Sequence, residues 1–203
     1  MENFKEKQNS LEVCKTIIRN HPNIKLIKLI SHKVSINWRQ KFVNNEDKIK
    51  QIKNALVHHK PTCTKTFDRQ SFLKLKLSDL NKFNNDVWSM TSKVICSNNQ
   101  SYHIPMMNFH PYEKNIKHIE KSINLICKNY NGVILDSGRY FHYYGNALLT
   151  HEEWLKFLAD FSMPCILVSP RYIGHVLYRG YCSLRLNADK KFKPKIPRVI
   201  KIL

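Results

Sequence analysis

The sequence predicts an α+β protein in which helices and antiparallel hairpins are mixed along one chain. Apolar residues recur at helical spacing in several segments, and pairs of short apolar or alternating segments flank polar turns. The chain has 203 residues, of which only 5 are glycine and 8 are proline. It is long enough to bury one sizeable core, and no long flexible linker is expected.

The N-terminal part is predicted to contain two helices and two strands. Leu11, Cys14 and Ile18 share one face of a first helix, which ends near His21. In chain order, the remaining predictions are a strand over residues 24–31, a helix over 46–58, a loop over 60–70 and an alternating strand over 72–77.

The C-terminal part combines helix starts with further hairpins. Thr150 and Glu153 form a capping box that opens one helix. Ser169 and Pro170 open another, with the Ser169 hydroxyl as its N-cap, and this helix ends at Gly180. The first of these helices turns its apolar residues inward: Trp154, Phe157, Leu158 and Phe161. The other predictions are a hairpin of 88–96 with 101–109, a helix from Ile116 that is ended by Asn131 and Gly132, a hairpin of 133–135 with 140–144, and strands over 181–187 and 198–203.

The charge is strongly positive and indicates a polyanionic partner such as nucleic acid or a nucleotide. There are 34 Lys and Arg against 15 Asp and Glu, which gives a formal charge of +19. Lysine outnumbers arginine 26 to 8, and part of this excess is typical of A+T-rich genomes. Five of the eight arginines lie after residue 138, and the last 43 residues contain one acid, Asp189.

Several classes of protein are excluded. No apolar run approaches the roughly 20 residues that cross a bilayer, and the first residues lack an apolar signal segment. The six cysteines are scattered without a C-x-x-C pair, so neither a zinc site nor a redox pair is expected. We interpret them as reduced, mostly buried side chains, which predicts a cytoplasmic protein without membrane contact.

Three segments contain residues that could carry chemistry. In the first, residues 102–111, Asn108 and His110 project from the same face of a strand. A D-x-D pair at that spacing would hold two divalent metals for phosphoryl transfer. Here neither residue is a carboxylate: Asn is a neutral ligand, and His prefers softer metals than Mg²⁺.

The second segment is L-D-S-G-R-Y-F-H-Y-Y-G, residues 135–145. Ser137, Gly138, Arg139 and His142 offer a hydroxyl, backbone N–H groups, a guanidinium and an imidazole to phosphate oxygens. Strict alternation would place Arg139 and His142 on opposite faces, so the site requires an irregular start to the strand. The alternative is that His142 is a core histidine within a tyrosine cluster.

The third segment runs from Ser169 to residue 185. Arg171, His175 and Arg179 are spaced i, i+4, i+8 and form one basic stripe on a helix. In the next strand, Tyr181, Ser183 and Arg185 share a face; basic and aromatic side chains on one surface suit a nucleic-acid backbone with stacked bases. The alternative is a solvated helix face. The basic tail over 190–195 is interpreted as a solvated loop that adds non-specific phosphate attraction.

Together these segments resemble the archaeo-eukaryotic primase superfamily, specifically its small bacterial "primase 1D-like" domains, over roughly residues 85–203. The residues that carry the resemblance are L-D-S-G-R-Y-F-H-Y-Y-G and P-R-Y-I-G-H. The resemblance implies an RRM-like mixed or antiparallel sheet flanked by helices over 86–203, preceded by an N-terminal α/β module over 1–85. It also implies a D-x-D metal pair, an S-G-R-x-x-H motif for the nucleotide triphosphate, and a further metal-binding Asp just before P-R-[WY]-I-G-H.

The sequence departs from this pattern at the metal positions. Asn108 and His110 replace the D-x-D pair, and Ser169 replaces the third acid. The phosphate motif is retained in Ser137, Arg139 and His142, and the family's basic positions correspond to Arg171, His175 and Arg185. Two Mg²⁺ ions need anionic oxygen ligands, which the three replacements do not supply.

Three hypotheses follow. The leading one is a catalytically degenerate primase-like domain that binds DNA, RNA or nucleotide phosphates and needs no cofactor. The second is an active nucleotidyltransferase in which Asp136, with His110, binds Mg²⁺ or Mn²⁺ at a non-standard site. The third is a basic interaction subunit that docks a larger protein of a nucleic-acid-processing or defence complex, with residues 1–85 taking part in the contact.

Overall fold

The structure is a computed structural model that describes residues 2–32, 49–50, 52–53, 56, 60–82, 87–110, 115–127, 131–164, 166–189 and 193–203. The helices are α1 (Ser10–Asn20), α2 (Arg69–Lys74), α3 (Leu77–Lys82), α4 (Ile116–Ile126), α5 (His151–Ser162) and α6 (Pro170–Arg179). The strands are β1 (Ile24–His32), β2 (Cys63–Asp68), β3 (Val87–Cys96), β4 (Ser101–His103), β5 (Met106–Phe109), β6 (Gly132–Asp136), β7 (Phe141–Gly145), β8 (Ser183–Arg185) and β9 (Arg198–Ile202).

The strands form two antiparallel sheets. In the first, the order is β2-β1-β3-β4. β8 pairs with the part of β3 that β4 does not reach. In the second, the order is β5-β7-β6-β9. The edge of β9 is covered by the N-terminal segment, since the backbone of Val199 exchanges hydrogen bonds with Lys7 and Gln8. The predicted α+β class, with sheets flanked by helices, is confirmed.

The two sheets and their helices share one apolar core. Leu11, Cys14 and Ile18 of α1 are fully buried, as expected from their helical spacing. The inward face of α5 is buried as predicted, and the capping box of Thr150 and Glu153 is present. β8 of the first sheet contacts β5 of the second, which brings the two sheets together at one end.

Two predictions around residues 60–77 are wrong. The expected loop over 60–70 contains β2, and the expected strand over 72–77 is instead the end of α2, a two-residue connection and the first residue of α3. The side chain of Asp68 accepts a hydrogen bond from the Ser71 backbone N–H at 2.9 Å and caps the helix, while Phe72 is fully buried. The alternation of leucines and lysines after residue 72 is too short to distinguish a strand from a helix. In the structure it forms the end of α2 and the connection to α3.

The predicted strand over 101–109 is two strands in different sheets. β4 pairs with β3 as a hairpin, but the chain then crosses to the second sheet, where β5 pairs with β7. Pro105 stands at the crossing, where its missing N–H ends the ladder.

The helix from Ile116 ends at Ile126, before the predicted stop. Gly132 instead begins β6, where an added Cβ would lie 2.6 Å from the Tyr143 ring and from the Tyr144 carbonyl oxygen. Of the helix predicted over 46–58, residues 49–50, 52–53 and 56 are described and are helical, and the rest lies outside the described residues. No helix in the described part of the chain has the length and apolar character to cross a membrane.

Candidate functional site

The turn between β6 and β7 is built by its own polar groups. The Gly138 N–H donates to Asp136 Oδ1 at 2.7 Å, and the Ser137 N–H and hydroxyl both donate to the Tyr140 carbonyl, at 2.9 and 2.8 Å. Gly138 has φ of +100°, a conformation that glycine adopts without strain. Arg139 therefore lies in the turn and not in the strand. Strand alternation, which would have placed Arg139 and His142 on opposite faces, does not apply, and both residues line the same pocket.

Asn108 and His142 lie directly opposite each other on β5 and β7. Cross-strand partners in an antiparallel pair project from the same face, so both side chains turn toward the pocket that they help to line. Asn108 Oδ1 and His142 Nδ1 are buried and have no hydrogen-bond partner among the described residues. Buried polar atoms of this kind are normally satisfied, so this pair has unused capacity for a bound group or water.

Arg185 joins the elements that surround the pocket. Its guanidinium donates to three main-chain carbonyls: Ser137 at 2.7 Å, Asn187 at 2.6 Å and Lys195 at 2.6 Å. The residue is only 8% exposed. The phosphate-motif turn and the segment before β9 are thus connected through one side chain of β8.

These elements enclose a pocket of about 530 Å³. Four cationic side chains line it: Arg139, Arg185, Lys193 and Lys195. Its other lining residues are Ser89, Asn108, Ser137, Gly138, Tyr140, His142, Ser183, Leu184 and Pro194. No aspartate or glutamate is among these described lining residues, so the pocket concentrates positive charge without internal compensation.

The electrostatics reflect this crowding of cations. Burial, and then the charges of Arg185, Lys193 and His110, lower the pKa of His142 to about 3, so its imidazole is neutral near pH 7. Burial, followed by repulsion from Arg185 and Arg139, also lowers the pKa of Lys193. An anion in the pocket would relieve both repulsions.

The three positions at which the family resemblance places metal ligands do not fit a divalent-metal pair. Asn108 is a neutral amide, and the His110 ring packs on Tyr140 with centroids 4.0 Å apart and does not line the pocket. Ser169 lies outside the pocket as the N-cap of α6. Asp136 is outside it as well, with one carboxylate oxygen accepting from Gly138 N–H. In the described part of the chain, no group of three or more His, Cys, Asp or Glu side chains is arranged to hold a metal ion.

The predicted cap on α6 needs a correction. Ser169 occupies the N-cap position and Pro170 follows it, but the Ser169 hydroxyl makes no capping hydrogen bond. The backbone N–H groups of Tyr172 and Ile173 donate to the Ser169 carbonyl instead, at 2.9 and 3.2 Å. The first turn is therefore closed by the main chain and not by the Ser169 side chain.

The basic stripe of α6 lies outside the pocket. Arg171 is exposed, His175 and Arg179 are half-buried, and the buried side of the helix consists of Ile173 and Val176. The Arg179 guanidinium carbon lies 5.7 Å from the centre of the Tyr181 ring, which is also outside the pocket. Of the third predicted segment, Ser183, Leu184 and Arg185 line the pocket.

An aromatic strip connects the pocket to α6. Tyr140 lines the pocket, the His110 ring packs against it, and the Tyr172 ring of α6 lies 6.2 Å from that of His110. The Arg139 guanidinium carbon lies 5.1 Å from the centre of the Tyr140 ring. The phosphate motif and the basic helix are therefore neighbours through side-chain contacts.

Sequence reasoning missed several lining residues. Ser89 and Tyr140 have no local signal, because their place in the pocket depends on strand pairing and on the turn. Lys193 and Lys195 belong to the basic tail that was interpreted as solvated. The one available signal was the density of cations after residue 160, which pointed to an anion without saying where it binds.

The resemblance seen in the sequence is confirmed by comparison with known families. The family profile described as AEP-like, archaeo-eukaryotic primase 1D-like, matches residues 65–198, about two thirds of the chain. The match begins earlier than the motifs alone indicated and includes most of β2 together with α2 and α3. No curated protein and no solved structure matches the sequence. The chain belongs to the archaeo-eukaryotic primase 1D-like family.

Proposed function

We propose that this protein binds nucleic acid or nucleotides through their phosphates, in the cationic pocket, and that it does not carry out metal-dependent nucleotidyl transfer. Family membership supports a function related to primases. The observation that carries the proposal is the set of four cations, Arg139, Arg185, Lys193 and Lys195, around a pocket whose described lining contains no acid.

The chemistry of the lining supports phosphate as the ligand. Arg139 and Lys195 are exposed and can reach a bound anion, whereas Arg185 keeps its charge near the pocket while its N–H groups hold the main chain. Charge-assisted hydrogen bonds to phosphate oxygens contribute about 1.5–3 kcal/mol each. The basic stripe of α6 would extend this contact along a nucleic-acid strand, because the aromatic strip of Tyr140, His110 and Tyr172 connects the stripe to the pocket.

The replaced metal positions support the absence of polymerase chemistry. A two-metal mechanism uses anionic oxygens to hold Mg²⁺ against the phosphates. In this chain the corresponding residues are Asn108, His110 and Ser169, and the nearby Asp136 carboxylate accepts a hydrogen bond from the turn. Phosphate charge would be neutralised by side chains alone, so binding would not require a divalent metal.

The test is fluorescence anisotropy with labelled single-stranded and duplex DNA and RNA over a KCl series, in EDTA, Mg²⁺ and Mn²⁺. We expect binding in EDTA that weakens steeply with salt. The double variant Arg139→Ala/Lys195→Ala should lose about 10- to 100-fold in affinity. Its charge-matched control is Lys25→Ala/Lys28→Ala on exposed positions of β1, and this variant should lose no more than about threefold.

Two results would overturn the proposal. One is an equal loss in both double variants, which would mean that bulk charge and not the pocket drives binding. The other is binding that needs Mg²⁺ or Mn²⁺ together with incorporation of labelled nucleotides, which would show an active nucleotidyltransferase.

A further inference from the structure

Tyr140 lines the cationic pocket, and its ring contacts two other planar groups, the Arg139 guanidinium and the His110 imidazole. The Arg139 guanidinium carbon lies 5.1 Å from the centre of its ring, and the His110 ring packs against it at 4.0 Å with an interplanar angle of 41°. Behind His110 lies Tyr172 of α6. Four planar groups from three parts of the fold therefore form one cluster beside the turn of Ser137 and Gly138, in which Arg139 lies over the Tyr140 ring and Tyr172 meets His110 edge-on.

Hydrogen bonds to the main chain hold this cluster in place. The Tyr140 carbonyl accepts two hydrogen bonds from Ser137, which fix the turn, and the His110 backbone N–H donates to the Leu167 carbonyl at 2.7 Å. His110 is itself half-buried, with its ring against Tyr140. Tyr140 and Arg139 are the members that lie at the pocket, and Arg139 is exposed.

Such planes are what nucleobases stack on. Aromatic rings and guanidinium planes hold bases with little sequence preference, because every base has a π-face. Stacking uses the face of a guanidinium and leaves its N–H edge to donate to phosphate. Inorganic phosphate and pyrophosphate have no π-face, so neither would stack on the Arg139 and Tyr140 planes.

We propose that Arg139 and Tyr140 form a base-stacking platform, so that the pocket takes a nucleotide unit and holds it by its base as well as by its phosphate. This inference rests on the proposed phosphate binding and adds a second contact, made by Arg139 and Tyr140 to the base. Lys193 and Lys195 contact the phosphate, the Arg139 edge donates to the same group, and the base lies over the Arg139–Tyr140 pair. A nucleotide within a strand and a free nucleotide share this chemistry.

The experiment compares a nucleotide with a bare anion. The probes are 2-aminopurine nucleoside 5′-triphosphate, a single-stranded oligonucleotide containing one 2-aminopurine, and inorganic pyrophosphate as a competitor without a base. The variants are Tyr140→Leu, which removes the ring, and Tyr140→Trp, which keeps an aromatic plane. The matched control is Tyr102→Leu on β4, a tyrosine of the first sheet outside the pocket.

The wild type should quench 2-aminopurine fluorescence on binding. Tyr140→Leu should lose the quenching and about 5- to 100-fold in affinity for the 2-aminopurine probes, with pyrophosphate affinity unchanged within about twofold. Tyr140→Trp should keep the nucleotide affinity, and Tyr102→Leu should behave like the wild type. Comparing the triphosphate with the oligonucleotide then shows whether the free nucleotide or the strand is preferred.

Distinct failures separate the two proposals. If Tyr140→Leu weakens pyrophosphate and nucleotide equally, the ring only shapes the phosphate pocket, and the platform is wrong while phosphate binding stands. The same conclusion follows if the wild type binds nucleotide no more tightly than pyrophosphate. If the wild type binds none of the three probes, the proposed function itself fails, and the platform fails with it.

Discussion

Asn108 on β5 and His142 on β7 face each other across one strand pair, and each contributes a buried polar atom without a partner among the described residues. The pair lines a pocket whose described charged residues are all cationic. Neutrality at this point suits the proposed phosphate binding, because a carboxylate here would attract Mg²⁺ and repel phosphate, whereas an amide and a neutral imidazole do neither strongly.

Replacing Asn108 with Asp tests that neutrality. We expect Asn108→Asp to weaken binding of a labelled single-stranded oligonucleotide in EDTA by roughly tenfold or more, because a carboxylate would lie within several ångströms of the bound phosphate. Anisotropy titration measures this. Asn98→Asp in the β3–β4 turn makes the same charge change outside the pocket and should cost less than about threefold; equal losses would show that only net charge matters.

Lys193 and Lys195 are expected to contact phosphate directly. Each substitution to Ala should lower the slope of log affinity against log salt by about one and weaken all sequences alike. The measurement is a KCl series with oligonucleotides of different base composition. A change in base preference without a change in salt slope would contradict a phosphate role for either lysine.

Arg185 should act mainly on stability and on pocket shape. Because its guanidinium donates to three main-chain carbonyls, Arg185→Ala should lower the free energy of unfolding by about 2–4 kcal/mol. Arg185→Lys keeps the charge but cannot span all three acceptors, so it should recover only part of the loss. Denaturant unfolding gives the values.

The control for Arg185 is Arg179→Ala. Arg179 donates to the His175 carbonyl of its own helix and is half-buried, so its loss should cost less than about 1 kcal/mol. Full stability in Arg185→Ala combined with lost oligonucleotide binding would instead indicate that Arg185 contacts the ligand.

Stability should fall as the pH is lowered below about 6.5. Burial lowers the pKa of His142 to about 3 and that of His103 to about 4, so the unfolded chain, with histidines near 6.5, binds more protons than the folded chain at mildly acidic pH. The free energy of unfolding therefore decreases with decreasing pH, by about 1.2 kcal/mol per pH unit for each histidine near pH 5.5.

Histidine variants test which residues cause this pH dependence of the free energy of unfolding. His142→Asn should remove the contribution of one histidine when urea unfolding is followed between pH 5 and 7. His118→Asn, at an exposed position of α4, is the control for replacing a histidine by asparagine. A pH-independent free energy of unfolding in the wild type over this range would show that the buried histidines are not held neutral.

Two glycines should respond in opposite directions to alanine. At Gly132 the new Cβ would lie 2.6 Å from the Tyr144 carbonyl oxygen and from the Tyr143 ring, so Gly132→Ala should destabilise the fold by about 1–3 kcal/mol. At Gly174 in α6 nothing lies within 4 Å, so Gly174→Ala should stabilise it by up to about 1 kcal/mol. Thermal and denaturant unfolding distinguish the two, and similar shifts in both would contradict the close approach of β6 and β7.

Local signals in the sequence predicted much of the fold. The apolar faces of α1 and α5, the capping box at Thr150 and the hairpin around Gly138 depend on residues within a few positions of one another. The family motif was equally local, since Ser137, Arg139 and His142 are close in sequence and meet in one turn and strand. Where local patterns were ambiguous the predictions failed, as in the leucine and lysine alternation after residue 72, which forms a helix once Asp68 caps it.

The pocket itself is a tertiary feature. The sequence by itself determined the α+β class, most of the helices and strands, the family and one wall of the site. Only the tertiary structure decided that Lys193 and Lys195 complete the pocket, that Arg185 holds main-chain carbonyls, and that His110 packs on Tyr140. These contacts join residues far apart in sequence, and they depend on strand order and register, which are set by burial of the whole core and not by any short pattern.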